Sequence, residues 1–142
     1  MGLPMHLGVP DKSDTNHPFF NYTSGRWLYN ESIRSAERHL IFDARALLQI
    51  IVESVNKQIG SVSTFTKIAE GGSYRIFEVV FNDKTSAIAR LPYPCTLPQS
   101  FGIASEVATI QFLRRQGIAV PQVYAWTSSM ENAVGSAYII MA

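Results

Sequence analysis

Apolar residues recur at three- and four-residue spacing from Leu47 through Leu48, Ile51, Val52 and Val55 to Ile59. That is the stripe by which an amphipathic helix lies against a core. Asp43 stands where its N-cap is needed, and Gly60 where it should stop. Beyond Ser61 the period changes. "SVSTFTKIAE" and "YRIFEVVFN" are rich in β-branched and aromatic residues, with Gly71-Gly72 between them, and read as two strands joined by a glycine turn. "NDK" after Phe81 is the next turn signal, and Thr85 to Leu91 makes a third strand, completing a three-stranded antiparallel meander. Pro92, Pro94 and Pro98 impose an irregular connection, after which Ile103, Val107, Ile110 and Leu113 fall on one face of a helix ended by Gly117. Glu106 precedes Ile110 and Leu113 by four and seven positions, so its carboxylate projects along the edge of that face. "VPQVYAW" and "SAYIIMA" are two further short strands, separated by a polar loop containing Asn132 and Gly135.

Upstream of these elements the pattern is looser. Residues 1–18, with Pro4, Pro10, Pro18 and the polar centre "DKSDTNH", read as a mobile tail, with order beginning at Phe19. "FFNYTSGRWLYNES" carries five aromatics within eleven positions, more than a linker would, and reads as a strip docked on the core. The expected architecture is α+β: a five-stranded antiparallel sheet with one helix packed on it, preceded by an N-terminal helix. The expected divisions are the tail 1–18, the aromatic segment and helix 19–60, and the sheet unit 61–142.

Composition narrows the classes. With 46% hydrophobic and 16% charged residues in 142, the chain has an ordinary globular balance. Twelve Lys and Arg against eleven Asp and Glu give a net charge of +1, which supplies no electrostatic reason for nucleic acid or an anionic membrane as partner. The one cysteine, Cys95, excludes an internal disulfide and fits a reducing compartment. The longest apolar helical candidate is interrupted by Gln49 and Glu53, so no membrane span is expected. The first eighteen residues hold Asp11, Lys12 and Asp14 but no arginine, and resemble neither a signal peptide nor a transit peptide. Two glycosylation-like triplets, at Asn21 and Asn30, therefore have no secretory route to give them meaning, and the chain does not read as secreted. His6, His17 and His39 lack metal-ligand spacing, and Cys95 has no nearby histidine to activate it, so neither a metal site nor a catalytic thiol is expected.

Three features carry chemistry. Gly71-Gly72 is ordinarily a hairpin turn and falls short of a full G-x-G-x-x-G loop, yet glycines let a ligand approach the backbone and let the N–H groups around Gly72 and Ser73 point at phosphate oxygens. Arg90 lies two residues beyond Ile88, so a strand aims both at one face: Ile88 to cover a flat base, Arg90 to reach phosphates. The plain alternative is a solvated arginine at a strand end. Glu106 could equally be an early-helix carboxylate favoured by the helix dipole. Tyr74 and Phe77 read as packing residues. Taken in order, a glycine pair in the first turn, a cation on the third strand and a carboxylate on the next helix suggest the small lobe of a protein-kinase-like fold, in which the helix glutamate holds the strand cation, so Arg90 is expected to pair with Glu106.

The blocks "YTSGRWLYNE", "KIAEGGSYRIFEVVF", "AIARLPYP", "ASEVATIQFLRRQGIAVPQVYAW" and "AYIIMA" resemble the fungal aminoglycoside-phosphotransferase-like family that includes altered inheritance of mitochondria protein 9, over about Phe19 to Ala142. The resemblance implies a two-lobed kinase-like fold, of which this chain is the small lobe with the large lobe absent. It implies ATP with magnesium for the full-length family member, a mitochondrial location (otherwise cytoplasmic), and a nucleotide-binding set of Gly71, Gly72, Ser73, Ile88, Arg90, Glu106, Ile140 and Met141. In that set Ile140 to Ala142 would meet the base through the backbone. Kinases generally place lysine where Arg90 stands, a departure that fits the resembled family. The chain holds no H-x-D and no D-x-D, and its eleven acidic residues are scattered from Asp11 to Glu131, so no catalytic residue is assigned and a fragment inactive alone is expected. Its partners would be a nucleotide and the missing lobe or another protein. The alternative is a non-enzymatic, pseudokinase-like interaction module. A chain stopping in "AYIIMA" is also expected to leave an apolar strand edge and sheet face open.

Overall fold

The computed structural model describes residues 7–23, 25, 28–37, 39–71, 74–93 and 99–142. Its elements are α1 (Glu31–Glu37), α2 (Ala44–Ser54), a 3-10 turn at Ile59–Ser61, β1 (Val62–Glu70), β2 (Tyr74–Phe81), β3 (Ser86–Pro92), α3 (Gln99–Arg115), β4 (Val123–Thr127) and β5 (Tyr138–Met141). The strands form one α+β sheet in the order β1-β2-β3-β5-β4, every neighbouring pair antiparallel.

Local chemistry sets most boundaries. Asp43 caps α2 by accepting from Ala46 N–H at 3.0 Å. The helix ends at Ser54, stopped by Asn56 rather than by Gly60. Asn56 takes φ +58°, Lys57 N–H donates to Val52 O, and Asn56 N–H to Glu53 O, a pattern that asparagine can supply in place of glycine. Ile59 therefore falls in the 3-10 turn. Gly117 ends α3 in the same way, at φ +82° with Ile118 N–H on Leu113 O. The β2–β3 turn is held by Asp83, which accepts from both the backbone and the hydroxyl of Thr85. In the β4–β5 loop Asn132 donates to Ser129 O and Ser136 O and accepts from Val134 and Gly135 N–H. Val134, fully buried, then accepts from the Asp43 N–H and ties this loop to the start of α2.

Both faces of the sheet are covered, where one packed helix was expected. On one side Phe65, Phe77, Val79, Phe81, Ala87, Ala89, Leu91 and Ile140 share a core with Leu47, Leu48, Ile51 and Val52 of α2 and with Phe19, Phe20, Leu40 and Phe42. The rings interlock edge to face: Phe19 with Phe77 at 4.9 Å, Phe42 with Phe77 and with Phe20 at 5.3 Å. On the other side Ile139 and Met141 pack with Ala137 and with Ile103 and Val107 of α3, and with the partly buried Ile88, Ile110 and Val123. The open apolar edge and face expected of the last strand are not there. β5 lies between β3 and β4, and all four of its residues are buried.

The upstream segment divides. Phe19 and Phe20 dock as anticipated, but Leu28 and Tyr29 are exposed; Trp27 lies outside the described residues. Leu7, from the stretch expected to be a tail, is buried in the larger core, and residues 11–20 form successive hydrogen-bonded turns. α1 was not anticipated, because its seven residues present no apolar stripe and Ile33 is exposed.

A buried charge cluster fastens this segment to the sheet. Glu70 and Arg75 face each other across β1 and β2, with side chains 1% and 0% exposed and Arg75 Nε 3.4 Å from Glu70 Oε1. Lys67 also pairs with Glu70, and its ammonium donates to Pro18 O at 2.8 Å, Asn21 O at 3.1 Å and Thr23 Oγ1 at 2.7 Å. Glu70 accepts in turn from Thr23 N–H, and Arg75 donates to Phe19 O at 3.2 Å. Burial lowers the Lys67 and Arg75 pKa values from their ordinary range, partly opposed by Glu70.

Glu70→Gln is expected to destabilise the chain by about 3–5 kcal/mol, because it leaves two enclosed cations without their anion. Leu28→Ala, at a fully exposed side chain, should stay within about 0.5 kcal/mol of the parent. Urea unfolding midpoints of the two variants check the contrast.

Candidate functional site

Strand alternation puts Ile88 and Arg90 on the α3 face, while Ala87, Ala89 and Leu91 enter the opposite core. Across the ladder Arg90 stands opposite Ile76 on β2 and Ile139 on β5. α3 lies over this face by Ile103 and Val107, and one residue before Val107 it presents Glu106. Arg90 Nη1 bonds to Glu106 Oε1, with the two side chains 25% and 27% exposed. The ion pair anticipated from the sequence is thus formed on the face that carries Ile88.

A third residue completes the group. Tyr74, the first of β2, stands opposite Pro92, one diagonal step from Arg90. Its hydroxyl donates to Glu106 Oε2 at 2.9 Å, and the Arg90 guanidinium carbon lies 4.4 Å from its ring centre. Both carboxylate oxygens of Glu106 therefore have donors. Arg90 Nε is buried and has no hydrogen-bond acceptor among the described residues. Burial first, and the Glu106 hydrogen bond second, raise the Tyr74 pKa above its ordinary value. Tyr74 is thus more than the packing residue its sequence position suggests. The signal that could have found it is its even spacing from Ile76 and Glu78, which puts it on the sheet face of Arg90.

The other anticipated residues are placed unevenly. Gly71 N–H donates to Tyr74 O at 2.7 Å and closes the base of the glycine turn, whereas Gly72 and Ser73 lie outside the described residues. Met141 sits opposite Ile88 on the ladder, and both join the α3-side cluster. Ile140 turns the other way, fully buried in the α2-side core, so only its backbone could face a ligand. Cys95 is likewise outside the described residues.

Chemically, the arrangement offers a guanidinium held by Glu106 and the Tyr74 ring, with the partly buried Ile88 beside it on the same face. That suits a phosphate-bearing ligand with a flat apolar part. Magnesium fits less well. Among the described residues no three His, Cys, Asp or Glu side chains cluster closely enough to hold a metal, and Glu106 is already committed to two donors. An open cleft lined by Gln111, Arg114, Arg115, Gln122 and Val123, and another at the end of α2, lie apart from Arg90 and Glu106. No helix among the described residues is long and apolar enough to cross a membrane.

The chain is similar to altered inheritance of mitochondria protein 9, mitochondrial, of Yarrowia lipolytica, at 29% identity over 146 residues, covering 92% of this chain and 25% of that protein. The protein of the same name from Candida tropicalis is 27% identical over 161 residues, covering 91% and 26%. A subtelomeric hrmA-associated cluster protein of Aspergillus fumigatus is 42% identical over a shorter stretch of 76 residues, 53% of this chain and 15% of that protein. The chain thus spans about a quarter of the length of the two mitochondrial relatives. No family model matches it, and no solved structure matches it significantly.

Arg90→Met should cost about 1–2 kcal/mol in urea unfolding, between the roughly 0–1 of an exposed pair and the roughly 3–5 of a buried one, because each partner is about a quarter exposed. Tyr74 and Tyr138 both have raised pKa values, so the folded chain keeps their protons where the unfolded chain begins to lose them. The stability they supply is complete below the unfolded tyrosine value of about 10 and lost as pH rises through the higher folded values. Unfolding midpoints measured from pH 8 upward should fall beyond about pH 10, and Tyr74→Phe should flatten that fall.

Proposed function

We propose that the chain is the N-terminal nucleotide-binding lobe of an aminoglycoside-phosphotransferase-like, kinase-like protein of the mitochondrion. The observation that carries the reading is the Arg90–Glu106 pair, a third-strand cation held by a carboxylate of the following helix, on the strand beside the one that leaves a glycine turn. In phosphoryl transfer that pair positions the nucleotide phosphates. Arginine can do so while bonded to Glu106, because a guanidinium presents five N–H donors and the Glu106 contact takes one of them, at Nη1. Ile88 and Met141 would lie against the base. The likeness to proteins named as mitochondrial supports the location.

Within this chain the role is binding and orientation. In the full-length protein, ATP with magnesium would be completed by a second lobe supplying the acceptor-side carboxylate and the metal ligands. The 142-residue chain alone should show no transfer to hydroxylated acceptors. A second reading, a non-enzymatic interaction module, is favoured by the exposed Tyr124 and Trp126 on the edge strand β4.

Magnesium-ATP decides between them. At about 100 times its dissociation constant it should stabilise the chain by about 2.7 kcal/mol, read as a rise in melting temperature. Arg90→Met should remove most of that rise. No rise at millimolar nucleotide, in a chain that melts cooperatively, would refute the nucleotide reading and leave the interaction module.

A further inference from the structure

Tyr74 joins three things that would otherwise move separately. Its carbonyl accepts from Gly71 N–H and closes the glycine turn. Its hydroxyl occupies Glu106 Oε2, and its ring face lies against the Arg90 guanidinium. Arg90 holds the remaining oxygen of Glu106. The three side chains form a closed triangle, each touching the other two, and they come from β2, β3 and α3.

We propose that Tyr74 is a positioning residue, a strap that sets Glu106 and Arg90 relative to the glycine turn; this rests on the nucleotide-site reading and deepens it. A partly exposed ion pair between long side chains has many geometries of similar energy and is readily exchanged for water. A neutral hydroxyl on the second oxygen removes the freedom of the carboxylate to rotate. The ring face does the same for the guanidinium, which must stay near it to keep the cation–π contact. α3 cannot draw Glu106 away from Arg90 without also pulling on the residue that closes the turn. Gly71, at the base of the turn, and the cation on β3 are thereby kept in one frame. Tyr74 need not touch the ligand, so its effect passes through Arg90.

Two substitutions separate the contributions. Tyr74→Phe keeps the ring under Arg90 and removes the hydroxyl; Tyr74→Leu removes both. The full 142-residue chain and both variants would be titrated with magnesium-ATP by calorimetry, and the Arg90 Nε–Hε resonance followed by nitrogen-15 NMR without nucleotide. Tyr74→Phe is expected to weaken magnesium-ATP about 3- to 10-fold, the effect of losing one hydrogen bond of typical net strength, and Tyr74→Leu more. The Arg90 resonance should move and exchange faster with water in both, with an unchanged fold by circular dichroism. Parent-like affinity and an unmoved Arg90 resonance in Tyr74→Phe would overturn the strap. If the parent itself fails to bind magnesium-ATP, the nucleotide reading falls, and the Arg90 resonance alone then decides whether Tyr74 orders the pair.

Discussion

Tyr74 and Arg75 are neighbours in sequence and face opposite sides of the sheet, and much of the structure hangs on that alternation. Arg75 enters the α2-side core, where Glu70 and the Phe19 carbonyl meet it. Tyr74 goes to the α3 side, where Glu106 and Arg90 meet it. A one-residue slip of β2 against its neighbours would present a guanidinium to α3 and a phenol to Glu70, and would turn Phe77 out of its ring cluster. The register is therefore held by several incompatible demands at once: aromatic packing on one face, two separate sets of charges on two faces.

That redundancy explains which features could be read from the sequence. The strands β1 to β3, the capped start of α2 and the apolar face of α3 follow from period and punctuation, because the structure uses Asp43, Gly117 and the alternation of β2 for their ordinary purposes. The Arg90–Glu106 pair was legible for the same reason, since strand period and helix period each fix a direction. The cluster of Lys67, Glu70 and Arg75 was not. Its members look like ordinary surface charges on the first two strands, and the descent of residues 17–23 over them makes them interior. Nor could the sequence show that β5 sits inside the sheet. Strand order depends on the long connection through α3, which carries no register signal of its own.

Arginine at position 90 has a consequence that lysine would not. An ammonium offers three donors around one point, so a glutamate and a phosphate compete for the same small volume. The guanidinium spreads its donors across a plane, and here Glu106 meets it at Nη1 alone among the described residues. A planar cation can also stack, which is what brings Tyr74 into the group. The aromatic residue at the end of the glycine turn and the arginine on β3 thus belong together as one physical solution.

The same glycine turn is braced from both sides of the sheet. The residue before it, Glu70, is held by Lys67, Arg75 and the Thr23 N–H, and so by the N-terminal segment. The residue after it, Tyr74, is held by Glu106, and so by α3. Gly71 N–H closes the base between them. Glycines raise the conformational freedom of the backbone they occupy, so the ends of β1 and β2 on either side of them are fixed by these side chains. Here one anchor is a desolvated ion cluster and the other a partly exposed one, which makes them unequal: the Glu70 side is costly to undo, whereas the Tyr74 side can be exchanged for water at small cost.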